Sequence, residues 1–456
     1  MGPASRKIPI VAIATATGKA GVGIVRISGE DLKGLAYAIT NKTLEARTAT
    51  LVQLHNQEKQ LIDTCLAIYF PGPHSFTGED VLELQCHGGP QLLDLVLQRC
   101  LQLGSSLDLE IAEPGEFSLR AFLNGKIDLA QAEAIADLID AQSHAAVMGA
   151  ARSLQGAFSD EINELVEALT QLRILVESTL DFPEEEIEFL ESAHARERLS
   201  DIRGRLYCLV SAATQGRILR DGIQLVLVGA PNVGKSSLLN CLAGEEIAIV
   251  TAVAGTTRDR VKESITLDGV PIHIIDTAGL RPTEDAVEAI GIERTWASIR
   301  AADVVAFIEA PDAQSAEPGL QAAVMAALPT GCASLHLCNK ADLVVERARR
   351  RELGLLYVSA KTGAGIPELK SAILNCVGWQ AGQEDVLISR QRHIDCLLRA
   401  EAALNKASLF ALEGNRALEL FAEELRLAQE HLGQITGRLL PDDLLGKIFS
   451  QFCIGK

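Results

Sequence analysis

The run Gly229-Ala230-Pro231-Asn232-Val233-Gly234-Lys235-Ser236 spaces two glycines, a lysine and a hydroxyl as a phosphate cradle requires. Glycines let successive backbone N–H groups turn inward on phosphate oxygens. Lys235 sets a point charge against the outer phosphates, and the Ser236 hydroxyl is a magnesium ligand. The apolar run Leu225 to Val228 precedes the cradle and a helix is expected to open at Ser237, which gives the strand, loop and helix that this chemistry needs. The motif alone does not choose between ATP and GTP. Asn339-Lys340-Ala341-Asp342 makes that choice, because the Asp342 carboxylate can accept two hydrogen bonds from guanine's ring N–H and exocyclic amine, where adenine offers no amine. Ser359-Ala360-Lys361, after the strand-like Leu355 to Val358, can supply a further backbone N–H to the guanine oxygen. Asp276-Thr277-Ala278-Gly279 completes the set: Asp276 supports magnesium through water and the Gly279 N–H reaches the γ-phosphate.

A Ras-like enzyme would carry a water-orienting glutamine after Gly279, and here the residue is Leu280. Hydrolysis therefore needs another device. The run Thr251-Ala252-Val253-Ala254-Gly255-Thr256-Thr257 offers Thr257 as a second magnesium ligand. Backbone carbonyls of the same run, with Asn232, could hold a monovalent cation against the phosphates. It would neutralise developing charge as an arginine finger does.

These residues must be positioned by elements the sequence also announces. Strand and helix patterns alternate from Ile223 to about Val377, the signature of a parallel, doubly wound sheet. Before it, residues 8 to 125 alternate β-rich runs (Ile8 to Ala16, Val22 to Ile27, Thr64 to Phe70, Val81 to Cys86) with turns and one helix, Gln91 to Leu103, an α+β domain. Helical periodicity runs from about Leu129, as in Ile162, Leu165, Leu169, Leu172 and Val176, and resumes from Ile388 to Phe452. Each helical half lacks partners for its apolar face, so the two are expected to pack together with the α/β module inserted between them. The expected domains are 1–125, 126–219, 220–380 and 381–456, in a multidomain chain of α/β and all-α parts.

At 456 residues, with 48% hydrophobic and 22% charged residues, the chain suits several globular cores. The net charge of −18 argues against unaided, phosphate-driven binding of nucleic acid. Ten cysteines lie scattered with no Cys-x-x-Cys pair for zinc or redox chemistry. No uninterrupted apolar stretch of about 18 residues exists to span a membrane, and a cytoplasmic location, or an organelle matrix, is expected.

The nucleotide motifs and their flanks resemble the bacterial and organellar tRNA-modification GTPase family MnmE (TrmE) over essentially the whole chain. The resemblance rests also on Gly21-Val-Gly-Ile-Val-Arg-Ile-Ser-Gly29, Ser75-Phe-Thr-Gly-Glu-Asp-Val-Leu-Glu-Leu-Gln85, Pro114-Gly-Glu-Phe-Ser118, the run Phe122 to Ala134 and the terminal Phe452-Cys-Ile-Gly-Lys456. It implies an amino-terminal tetrahydrofolate-binding-like domain that dimerises, a helical domain and an inserted Ras-like P-loop GTPase domain. Potassium would be held by Asn232 with Thr251, Val253 and Thr256, and the attacking water positioned by Glu288, with Glu284 nearby. Arg26, Glu83, Lys126 and Lys456 would hold a 5-formyl- or 5,10-methylene-tetrahydrofolate. Cys453 is a candidate catalytic thiol, or a packed tail residue. The implied activity is GTP-driven addition of an aminomethyl or carboxymethylaminomethyl group to C5 of the wobble uridine of certain tRNAs. It would act in a heterotetramer with MnmG (GidA), whose FAD handles the redox steps. The rival is a regulatory or ribosome-assembly GTPase switch. Such switches carry a basic RNA-binding module in place of this folate-like head and Cys-Ile-Gly-Lys tail.

Overall fold

A computed structural model describes residues 8–181, 194–244, 263–276, 293, 296–311, 318–329, 331–343, 354–380, 386–413, 417–438 and 442–455. The chain forms two compact units. One takes residues 1–136, 159–166 and 429–456, and the other takes 137–158 and 167–428.

In the first unit, strands β1 (Ile10–Ile13), β2 (Ala20–Gly29), β3 (Thr50–His55), β4 (Leu61–Phe70), β5 (Asp80–Gly88) and β6 (Glu110–Ile111) make one sheet. Its order is β3-β4-β5-β2-β1-β6, antiparallel throughout except for the parallel β1–β6 pair. Side chains alternate across a strand, so Val25 and Ile27 of β2 and Leu82 and Leu84 of β5 face one side. There they pack with Leu35 and Ile39 of helix Lys33–Thr40 and Leu93, Val96 and Cys100 of helix Pro90–Leu103. The alternation sends Arg26 and Glu83 to the other face, directly opposite each other in the β2–β5 register. Helices Lys33–Thr40 and Glu116–Leu123 add to the one helix expected in this region. Each has only eight residues, too few for a 3.6-residue period to stand out from β-rich surroundings.

Within the same unit, helix Asp442–Phe449 leads into a tail that packs Phe449 and Phe452 against Leu129 and Ala132. Gly115 (φ +70) receives this tail so closely that a Cβ there would lie 2.4 Å from the Phe449 carbonyl oxygen. Only glycine fits that left-handed, crowded position.

The second unit holds β7 (Ile223–Gly229), β8 (Glu263–Leu267), β9 (Val270–Asp276), β10 (Val304–Glu309), β11 (Ala333–Cys338) and β12 (Leu355–Tyr357). They form a sheet ordered β12-β11-β10-β7-β9-β8, parallel except for β8. Both faces are covered, which explains the continuous apolar runs. Leu225 and Leu227 of β7 join Leu238, Leu242, Leu369 and Ile373 on one face, whereas Val226 and Val228 join Ile299 and Val324 on the other. Long helices Ala195–Asp221 and Gln391–Phe410 flank this sheet in sequence and meet each other, with Arg203 donating to Asn405 at 2.6 Å and to Ser408 at 3.2 Å. Among the described residues no helix is long and apolar enough to cross a membrane.

Candidate functional site

Because β7, β9, β10, β11 and β12 run parallel, the segments that follow them emerge at one edge of the sheet, where α/β folds bind ligands. Central β7 delivers the phosphate cradle, and helix Lys235–Ala243 opens directly after Gly234, two residues earlier than its sequence suggested. Asn232 (φ +64) and Gly234 (φ +90) both take left-handed conformations, which Asn tolerates better than most non-glycine residues. Val233, 1% exposed, anchors the loop in the core, while Ser236 and Ser237 are exposed at the helix start. The Lys235 ammonium donates to the carbonyls of Gly229 (2.8 Å) and Ala230 (3.3 Å). The loop thus holds its own cation where phosphate oxygens would compete for it.

The base side comes from β11 and β12. Asn339, 1% exposed, donates from Nδ2 to the Val233 carbonyl at 2.9 Å, and its Oδ1 accepts from the Ala360 N–H at 3.3 Å. One side chain therefore ties the phosphate loop to the Ser359-Ala360-Lys361 turn. Gly234 allows this: a Cβ there would sit 2.5 Å from Asn339 Nδ2. The Ser359 hydroxyl donates to Asp342 Oδ1 at 2.7 Å. That bond, more than the positive charges of Lys361 and Lys340, holds the exposed Asp342 carboxyl below its ordinary range. Lys340 takes φ +57 at the turn.

Beyond the backbone role expected of Ser359, its hydroxyl holds Asp342, and Asn339 acts as an unexpected brace. The signal was present in the residue types, since a buried Asn at a strand end requires partners for both ends of its amide. The backbone of Asp276 ends β9 at the same edge. Thr251 to Thr257, Thr277, Ala278, Gly279 and Glu288 lie outside the described residues.

A second cluster forms in the first unit. Arg26 and Glu83 pair with each other, Nη2 to Oε1 at 2.8 Å and Nε to Oε1 at 2.9 Å. The guanidinium lies over the rings of Phe76 (5.9 Å) and Phe117 (5.8 Å) and donates to the Gly455 carbonyl at 3.3 Å. Gly455 (φ +93) must be glycine, since a Cβ would lie 2.6 Å from the Ile13 carbonyl oxygen. The tail is held once more where the Gly115 N–H donates to the Cys453 carbonyl at 3.3 Å, and the Cys453 side chain is exposed. Lys126 donates to the Pro73 carbonyl at 3.0 Å, on the loop that carries Phe76. Lys456 lies outside the described residues. The Arg26–Glu83 pair means that an incoming carboxylate would compete with Glu83 for Arg26, and an incoming amino-pyrimidine with Arg26 for Glu83. Phe76 and Phe117 were not anticipated, although both stand inside the motifs Ser75 to Gln85 and Pro114 to Ser118. A cation lying over two aromatic rings cannot be read from strand alternation.

Residues 9–126 match the family profile described as GTP-binding protein TrmE N-terminus, and residues 129–453 that of the MnmE helical domain. The tRNA modification GTPase MnmE of Polynucleobacter asymbioticus is 65% identical over 455 residues, covering 99% of this chain and 100% of that relative. The protein of the same name from Ralstonia nicotianae is 52% identical over 460 residues, covering 99% and 97%. The FeoB G-domain of Methanococcus jannaschii aligns at 26% identity and a TM-score of 0.25 over 34% of this chain and 97% of its own, and the assignment does not depend on it. On the full-length relatives and a profile match spanning more than half its residues, the chain belongs to the MnmE (TrmE) family of tRNA modification GTPases, enzymes that hydrolyse GTP.

Proposed function

We propose that this GTPase is potassium-activated and works with an FAD-dependent partner of the MnmG type. Together they add an aminomethyl or carboxymethylaminomethyl group to C5 of the wobble uridine, position 34, of certain tRNAs. The observation that carries this reading is a phosphate-type loop braced to the Asp342–Ser359 pair and an Arg26–Glu83 cluster closed by Gly455 in one chain. A switch that acted by binding alone would have no use for the second.

At the cradle, Lys235 and the loop N–H groups bind the phosphates and Asp342 the base. The exposed Ser236 hydroxyl at the helix start suits a magnesium ligand, with Thr257 as the second, and magnesium there supplies charge neutralisation at the phosphates. The left-handed Asn232 exposes its amide beside the loop, which fits a potassium shell completed by Thr251, Val253 and Thr256. Glu288 positions the attacking water. Arg26, Glu83, Lys126 and Lys456 hold a 5-formyl- or 5,10-methylene-tetrahydrofolate, the carbon source, and Cys453 is the candidate thiol. The protein acts in the cytoplasm as a homodimer within a heterotetramer, and its −18 net charge suits a complex whose partner carries much of the tRNA surface.

Mass spectrometry of tRNA nucleosides from a deletion strain tests the reading: the modified wobble uridine is expected to vanish, and an unchanged nucleoside profile would sink it. Replacing potassium by sodium is expected to slow GTP turnover at least roughly tenfold, by loss of charge stabilisation at the phosphates. Equal turnover in the two salts would remove the cation.

A further inference from the structure

The GTP-binding sheet joins the helices at two crossings, and the described residues of both are held by contacts. On the way in, helix Ala195–Asp221 passes into β7 through Gly222 alone (φ +69), where a Cβ would lie 2.7 Å from the Pro271 carbonyl oxygen. On the way back, residues 386–389 run past Gly149 of helix His144–Leu154 and Gly216 of helix Ala195–Asp221. A Cβ on Gly216 would sit 1.8 Å from the Leu387 carbonyl oxygen. The Ser153 hydroxyl donates to the Ile388 carbonyl at 3.2 Å, and the Ser389 hydroxyl donates to that of Ala213. Gln215, 5% exposed, donates to the Gly378 carbonyl at 2.8 Å and accepts from the Gln380 N–H at 3.0 Å. Among the described residues, Gly222, Gly378, Gln380 and the stretch 386–389 are each held by these contacts.

One carboxylate belongs to both. Asp137 Oδ1 accepts from Arg220 Nε at 2.6 Å, in the last turn of the incoming helix. It also accepts from Arg390 Nη2 at 2.8 Å, at the cap of helix Gln391–Phe410. A cleft of about 220 Å³ opens beside this cluster, lined by Asp140, Gln142, Asp221 and His273 among others. Arg220 also pairs with Asp221, so it has a second acceptor and room to shift. Asp137 stands near the end of helix Leu129–Asp140, which begins with Leu129 and Ala132 in the cluster of Phe449 and Phe452.

A P-loop enzyme changes conformation with its nucleotide. Where the described parts of both crossings are held, that movement reaches the groups that hold them. We propose that Asp137 is a positioning residue for tRNA modification: its pairing with Arg220 and Arg390 couples movement of the GTP-binding sheet to helix Leu129–Asp140, without a part in GTP hydrolysis. The proposal rests on the family's tRNA modification activity, so wild-type protein restoring the nucleoside in a deletion strain is the reference arm that separates failure of that reading from failure of this one.

The test is Asp137→Asn in the full-length protein, read by GTP turnover in vitro and by the modified wobble nucleoside in the complemented strain. GTP turnover is expected to stay within twofold of wild type while the nucleoside falls at least tenfold, and Asp137→Glu is expected to recover at least half of it. If both activities fall together, or neither changes, or Asp137→Glu rescues no better than Asp137→Asn, the coupling role is wrong. Should Asp137→Asn not fold, Arg220→Gln, which leaves the Asp137–Arg390 pair in place, is read the same way. Its retention of full modification would overturn the proposal.

Discussion

Asp342→Asn is expected to cut affinity for guanine nucleotides roughly 10²–10⁴-fold, and to admit xanthine nucleotides in their place. A carboxylate there would accept from guanine's ring N–H and amine at once, whereas an amide can accept from one and must turn its own N–H toward the other. Xanthine replaces that amine with a carbonyl, so the Asn N–H becomes a partner. Competition binding with GDP and xanthosine diphosphate reads the exchange; parallel loss of both would mean a collapsed turn instead of altered recognition. The same carboxyl sets the pH range. The Ser359 hydroxyl lowers its titration below the ordinary aspartate range, with the nearby lysines adding to the effect. Recognition needs the ionised form, so it persists above the folded-state pKa and is lost as pH falls through it. Affinity should hold through neutral and mildly acidic pH and fall only as the carboxyl is protonated, below the range of an ordinary aspartate. Ser359→Ala removes the chief cause, and the fall should then begin at higher pH.

Lys235→Ala should reduce GTP turnover by roughly 10²–10³, the usual effect of losing one preorganised charge-stabilising donor. The ammonium donates to the carbonyls of Gly229 and Ala230, which phosphate oxygens would have to replace. Lys235→Arg should not restore turnover, because a planar fork cannot occupy the seat of a compact ammonium beside a buried loop. Steady-state kinetics together with thermal unfolding decide the matter: a large shift in melting temperature accompanying the loss would point to loop collapse, and turnover within tenfold of wild type would remove Lys235 from the chemistry.

What could be read in advance follows sequence distance. The phosphate loop was legible because its chemistry sits in eight consecutive residues after an apolar strand. That β7, β10, β11 and β12 run parallel was legible because alternating strands and helices allow little else, but their order in the sheet was not. Hidden were the contacts that close over long separations. Asn339 reaches the Val233 carbonyl across 106 residues, and Asp137 meets Arg390 across 253. No periodicity or spacing encodes such pairs. Short pieces were hidden too: β3 and the helix Lys33–Thr40 are set by packing against neighbours more than by their own pattern. The pairing of Arg26 with Glu83 lies between these cases. Both residues were singled out from their motifs, but their mutual occupation follows from the β2–β5 register, which a linear reading does not supply.

The Arg26 guanidinium takes a carbonyl from Gly455, 429 positions further along. A ribosome adding about 5–20 residues each second needs roughly 20–90 s to travel that distance. The amino-terminal sheet can fold long before then, yet its Arg26–Glu83 cluster must wait for the tail before it is closed. In a newly made molecule the cluster thus stands open for most of its own synthesis. The sheet passes that interval with the tail's seat beside Ile13 and Gly115 still bare, and any chain released early leaves it so.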